Sequence, residues 1–155
     1  MKDSIKVKGF VTYVLKDKDG NVKEVREKHN LITNAGLNVM ASLLAASNPD
    51  SKTGVGYIAI GSGSGQDATS TALASEITTN GGERAACNAA LDTVAVTNDT
   101  IKFDVTFSFT GSLAITEAGL FNDSSAGDMI AYQDFSTINV ADGDSLQIVW
   151  KVTFA

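Results

Sequence analysis

A chain of 155 residues with 43% hydrophobic and 19% charged residues belongs to the folded class, with enough length for one domain and a sizeable core. Its net charge of −6, without a basic stripe interleaved with aromatics, argues against direct nucleic-acid binding, and no apolar run approaches the ~20 residues of a membrane span. One cysteine, Cys87, excludes an internal disulfide, and one histidine, His29, excludes metal sites with two His ligands.

The first residues, Met1-Lys2-Asp3-Ser4-Ile5, lack the apolar core of a signal peptide. Ile5, Val7, Gly9, Val11, Tyr13 and Leu15 fall on one face of a strand. Asp17-Lys18-Asp19-Gly20-Asn21 is a tight turn, with Asp-Gly supplying the left-handed conformation a hairpin needs. Val22 to about Asn30 returns as a strand guarded against edge aggregation by Lys23, Glu24, Arg26, Glu27 and Lys28. Residues 1–28 carry eight Lys/Arg and five Asp/Glu, net +3, against net −9 for 29–155. Residues 1–30 therefore read as a docking arm for an acidic surface, and residues 31–155 as a β-rich core domain.

Thr33 or Asn34 caps a helix over about 34–47. Its apolar positions Leu37, Met40, Ala41 and Leu44 follow i, i+3, i+4, i+7 and make one apolar face, on a helix expected to pack on the β structure. Short strands are predicted over 55–60, 84–90, 93–96, 101–109, 114–120, 129–135 and 146–154, with a long Gly/Ser/Thr/Ala loop at 62–82 carrying a helical turn around 73–76. Phe103, Val105, Phe107, Phe109, Ile148, Trp150 and Val152 alternate with polar residues and are the expected core. The fold class is mainly β: a single-domain sandwich or barrel-like fold with an N-terminal hairpin and one main helix.

No catalytic or cofactor pattern fits the sequence. Gly61-Ser62-Gly63-Ser64-Gly65 has Gln66 where a dinucleotide loop needs Gly, and no lysine lies between Lys52 and Arg84 to complete a P-loop. Asp17, Asp19 and Asn21 begin a calcium-loop spacing that Val22 and Lys28 break, and Asp142 and Asp144 flank Gly143 as a second turn. His29 has no Gly-x-Ser-x-Gly elbow to serve and reads as a surface residue near a strand end. Cys87 has no nearby His or basic cluster to activate it and reads as a small buried apolar residue or a bystander. Glu76, Glu83 and Glu117 could supply paired carboxylates for glycoside hydrolysis, yet nothing singles out a pair. No catalytic, cofactor-binding or metal residues are assigned. Glu117 is expected to be structural, its carboxylate accepting backbone N–H groups or Arg84 at a strand end before Gly119.

Three phrases occur in order: Asn30-Leu31-Ile32-Thr33-Asn34-Ala35-Gly36-Leu37, Ile58-Ala59-Ile60-Gly61-Ser62-Gly63, and Ile115-Thr116-Glu117-Ala118-Gly119-Leu120-Phe121-Asn122. Between the last two stand Thr71-Ala72-Leu73-Ala74-Ser75-Glu76 and Arg84. Together they resemble virion structural proteins of tailed bacteriophages, both small head-decoration proteins and the collar-type N-terminal domain of tail fibres. The resemblance covers about residues 30–154. It implies a non-enzymatic role, no cofactor, and a virion location, with synthesis in the host bacterial cytoplasm. No shaft or tip sequence follows the last strand, so the expectation is a capsid decoration or cement protein bound in many copies to the major capsid protein and homo-oligomeric. The alternatives are a tail, collar or baseplate attachment protein and, from a different class, a host-glycan-binding β-domain.

Overall fold

Alternating segments become paired antiparallel strands in the computed structural model of the chain, which describes residues 4–155. The elements are β1 (Val7–Lys16), β2 (Val22–Ile32), α1 (Asn34–Leu44), β3 (Tyr57–Gly61), β4 (Ala85–Ala86), β5 (Asn88–Asp92), β6 (Thr100–Ser108), β7 (Leu113–Phe121), β8 (Met129–Val140) and β9 (Ser145–Phe154). They form one sheet in the order β4-β3-β7-β8-β2-β1-β9-β6-β5. Its two outermost strands, β4 and β5, are separated in the chain only by Cys87, whose N–H donates to the Gly56 carbonyl at 2.9 Å. The sheet thus curls back on itself into a nearly closed barrel, which leaves little edge to pair with other chains.

The predicted core residues are the core. Phe103, Val105, Phe107, Phe109, Ile148, Trp150 and Val152 are all buried, joined by Ile58, Ile60, Ile115, Leu120, Ile130 and Ile138 from the other wall. Trp150 satisfies its one polar atom by donating Nε1–H to the Asn30 side-chain oxygen at 3.1 Å. Gly9 makes room for that bond, since any side chain there would overlap the Asn30 amide.

The hairpin is not an appendage of this core. β1 lies between β2 and β9 and pairs with β9 along its whole length, from Val7–Phe154 to Lys16–Ser145. Val11, Tyr13 and Leu15 are buried in the same core cluster as the β6 and β9 residues, Tyr13 with its ring 4.7 Å from that of Phe135. Ile5, expected on the same face, lies beyond the strand and is exposed. Residues 1–3 of the expected arm fall outside the described residues. The second strand meets β8 through only two residue pairs, Leu31–Tyr132 and Ile32–Ala131. Below them, side chains close the seam. Lys28 donates to the Asp134 carbonyl at 2.9 Å, Arg26 to the Ser136 and Thr137 carbonyls, and Gln133 to the His29 carbonyl at 3.1 Å. Lys23 pairs with buried Asp144 at 2.8 Å. Several cations read as a docking charge therefore fasten the hairpin to its own barrel.

The helix corrects an expectation. Thr33 is the N-cap, accepting from the Gly36 N–H at 2.9 Å, and the helix ends at Leu44 instead of 47. However, its buried residues are Gly36, Val39 and Ser42, while Leu37, Ala41, Leu43 and Leu44 are exposed and Met40 is half-buried. Gly36 explains the inversion. The helix rides so close to β8 that a side chain at 36 would strike the Ile130 carbonyl, so the small-residue face must be the one that docks.

Residues 93–96 are a loop, not the predicted strand. Asp99 organises it, its carboxylate accepting from the N–H groups of Val94, Ala95 and Val96 at 2.8–2.9 Å. Those bonds hold the Asp99 carboxyl far below its ordinary value. A carboxyl depressed in the folded state adds stability that is complete above the unfolded pKa, about 3.9, and fades as pH falls through the lower folded value. Carboxyl-detected NMR should therefore find Asp99 still ionised where ordinary aspartates are half-protonated. The amides of 94–96 should lose exchange protection only below that pH.

Candidate functional site

The second and third phrases and the steps between them converge on one place, the outer surface of β3 and β7, whereas the first phrase, ending β2 and opening α1, lies against β8. Strand β7 reads Leu-Ala-Ile-Thr-Glu-Ala-Gly-Leu-Phe and is buried continuously from Glu117 to Phe121. Alternation fails there because both faces are covered. Ala118 and Leu120 point into the barrel, whereas Glu117, Gly119 and Phe121 face outward beneath the loop 62–82. Leu73 of that loop joins Ala59, Phe121, Met129 and Tyr132 in a second apolar cluster outside the barrel wall. This loop has no helical turn around 73–76. Instead Glu76 bridges to Gly61, flanked by Ser62 N–H to the Ser75 carbonyl at 2.8 Å and Ile77 N–H to the Ile60 carbonyl at 2.9 Å.

Glu117 is the clamp. Its side chain is wholly buried, mid-strand and not at a strand end. Oε1 accepts from the N–H groups of Ser75 at 2.7 Å and Gly63 at 3.1 Å, and Oε2 from the N–H of Ala74 at 3.1 Å. One carboxylate thus satisfies three loop donors that would otherwise be stranded. Gly61 and Gly63 follow from it, because a side chain at either position would collide with the Glu117 carboxylate. The glycine-rich run cradles a carboxylate from its own chain, not a phosphate. Thr116 adds a bond from its hydroxyl to the Gly63 carbonyl at 2.7 Å.

Arg84, the alternative partner for Glu117, goes elsewhere. Its guanidinium makes a two-pronged pair with Glu76, Nε to Oε1 at 2.9 Å and Nη2 to Oε2 at 2.7 Å. Nη1 donates to the carbonyls of Asp123 at 3.0 Å and Ala126 at 2.8 Å, and the group lies 3.8 Å over the Phe121 ring. Asn122 closes the far side, bonded in both directions to Asp128 at 2.7 and 3.1 Å. The order of the phrases reflects this assembly: loop donors, clamp, fork and latch lie far apart in sequence and touch in space.

The other candidates resolve individually. Asp17 accepts from the N–H groups of Asp19 and Asn21, both at 2.9 Å, as a hairpin turn does, and Gly20 takes φ of 84°. Asp144 caps the Ala141 N–H at 2.9 Å beside Gly143, whose φ is 85°. Among the described residues no group of three His, Cys, Asp or Glu could hold a metal ion. His29 is exposed, edge-on to Phe10 with ring centroids 5.2 Å apart. Partial burial pushes the Cys87 thiol up to about 11, with Asp104 adding to the rise, so it is a poor nucleophile at neutral pH. Of the carboxylates weighed for glycoside hydrolysis, Glu117 is sealed from solvent and Glu76 is occupied by Arg84.

Exchanging Glu117 for glutamine keeps the shape and turns one accepting oxygen into a donor. At least one of the three loop N–H groups is then left facing an amide N–H. A loss of about 1–3 kcal/mol is expected in chemical denaturation, with faster amide exchange at Gly63, Ala74 and Ser75. Unchanged stability and exchange would show that the clamp does not hold the loop.

The surface carries two further features. A groove of about 410 Å³ runs between Phe10, His29, Val94 and Ala95 with Lys8 and Lys151 at its sides. A more apolar one of about 570 Å³ lies along the outward face of α1, lined by Leu37, Met40, Leu43, Leu44, Ile5 and Phe154, among others. The fold and its principal polar cluster define the class: a mainly β, nearly closed barrel with one flanking helix and a loop clamped by a buried glutamate. No family model, no curated protein and no solved structure gives a significant match to the chain.

Proposed function

We propose that this chain is a non-enzymatic structural protein of a tailed-bacteriophage virion, a decoration protein bound in many copies to the outer face of the capsid. One observation carries the reading beyond the resemblance of its phrases. The residues of those phrases spend their polar groups inside the fold, Glu117 on three backbone donors and Arg84 on Glu76 and two carbonyls. That is the arrangement of a rigid assembly module, in which a sequence signature preserves shape and leaves contacts to the surface. The partner is the major capsid protein, and the site of action is the capsid surface after assembly in the bacterial cytoplasm.

The mechanism is thermodynamic. A protein that binds the closed lattice and not free subunits shifts the equilibrium toward intact shell, and many identical weak contacts add through avidity. The hairpin remains the more basic part of an acidic chain, net +3 against −9, so attachment to an acidic capsid surface draws on its solvent-facing lysines. Such contacts weaken as the Debye length falls to about 3 Å at 1 M salt.

Purified protein mixed with particles lacking it, followed by copy counting and imaging of the particle, tests the reading. On the order of hundreds of copies spread over the shell, released progressively by salt, is the expected result. About three to a dozen copies at one vertex would move the assignment to a tail, collar or baseplate component. Retention on bacterial polysaccharide without particle binding would replace both with a host-glycan-binding domain.

A further inference from the structure

The groove between Phe10, His29, Val94 and Ala95 combines an apolar floor with positive charge, in a chain of net −6. Strand register places its residues. His29 of β2, Phe10 of β1, Lys151 of β9 and Lys102 of β6 stand opposite one another in one row across the sheet. Lys8 lies two positions from Phe10 on the same face of β1, so cations flank the floor on two sides. No Asp or Glu lines the groove. Asp92 pairs with Lys151 at 2.7 Å, while neither Lys8 nor Lys102 has an ion pair among the described residues. Lysines directly opposite on one face repel, and one Asp92 does not cancel the three charges. The wall is preformed. Asp99 holds the N–H groups of Val94 and Ala95 at 2.9 and 2.8 Å, and the Phe154 N–H ties the Asp99 carbonyl to β9 at 2.9 Å. Val94 nonetheless stands 61% exposed. At about 410 Å³, apolar with a few convergent charges, the groove has the size and make-up of a binding site, ~300–1,000 Å³.

We infer that this groove takes an extended acidic segment of a partner protein, in which one aromatic or large aliphatic side chain is flanked by Asp or Glu. The apolar anchor lies on Phe10 against Val94 and Ala95. The flanking carboxylates reach Lys8 on one side and Lys151, backed by Lys102, on the other. Cations on two sides of the floor call for acid on both sides of the anchor, which a chain segment supplies and a single small carboxylate does not. Placing that segment on the capsid rests on the assembly reading above, whereas the groove's preference for it does not. Attachment then runs through Lys8 and not through Lys18 at the hairpin turn.

Titration of the full ¹⁵N-labelled chain with the capped peptide Glu-Glu-Phe-Glu-Glu, followed through amide shifts, tests the inference. Saturable shifts at Phe10, His29, Val94, Ala95 and Thr153 are expected, with affinity falling about 10-fold or more on going to ~1 M salt. Lys8→Glu should weaken binding by about 10-fold or more, while Lys18→Glu, the same charge change at an exposed turn, leaves it within about twofold. Both lysines are exposed, so unfolding midpoints should hold in both variants. Glu-Glu-Gly-Glu-Glu, which lacks the anchor, and Lys-Lys-Phe-Lys-Lys should not bind. An absence of saturable shifts, equal binding of the glycine peptide, or indifference to Lys8→Glu overturns the inference. Tighter binding of phenylpropionate than of the acidic peptide also overturns it and gives the groove to a small carboxylate. The two readings fail separately. A chain that coats particles but ignores the peptide sinks only the groove, and one that binds the peptide but no particle sinks only the virion assignment.

Discussion

Removal of residues 1–29 is expected to abolish folding, not to yield a smaller β-domain that has lost an arm. The deletion takes away β1 whole, and with it Val11, Tyr13 and Leu15, which are buried in the core on a strand paired along β9. It also exposes one edge of β9 along ten paired positions and leaves Asn30 without the strand that positions it against Trp150. Burying three such side chains contributes about 1.5–3 kcal/mol each, already comparable with the 5–15 kcal/mol by which a domain of this size is stable. The truncated chain should be insoluble or show no cooperative unfolding transition. A soluble truncation with a sharp transition and dispersed amide resonances would show that the hairpin is a true appendage.

The second large effect belongs to Trp150. It is fully buried at the centre of β9, paired across to Val11 of β1 and Phe103 of β6, so its ring is packed between the two strands that flank β9. Trp150→Ala should cost about 3–5 kcal/mol, through lost burial and the cavity left in a wall that cannot collapse. The Asn30 amide also loses its donor, which adds to the loss unless water enters. Trp150→Phe, which keeps most of the ring volume and removes only the N–H, should cost clearly less. The ordering is read from the midpoints of urea or guanidinium unfolding curves at constant slope. A midpoint unmoved by Trp150→Ala would mean the two faces of β9 are reversed.

Strands β1, β6 and β9 were legible because each has one face in the core and one in water, so a period of two is written into the residues. The hairpin turn was legible for the same local reason, since Gly20 must take φ of 84° within a run of polar turn residues. The structural role of Glu117 could be read in part: a lone carboxylate among apolar neighbours requires donors, and backbone N–H groups supply them. Which donors could not, because they lie 42 to 54 residues away and no local pattern encodes that distance; nor could the pairing of Arg84 with Glu76, eight residues apart, since it depends on how the loop folds back over β3.

Composition and alternation by themselves determined a mainly β domain, its core residues and the position of its helix. Only the tertiary structure decided how the two ends of the sheet come together, that a loop covers the outside of β7, and which side of α1 is inside. The helix shows why. Hydrophobic periodicity marks which residues avoid water but not what they avoid it with, and Leu37, Met40, Ala41 and Leu44 form an unbroken stripe. Packing density chose otherwise. The Ile130 carbonyl approaches Gly36 too closely for any larger side chain, so steric fit to β8 took the small-residue face inward and left the leucines outward.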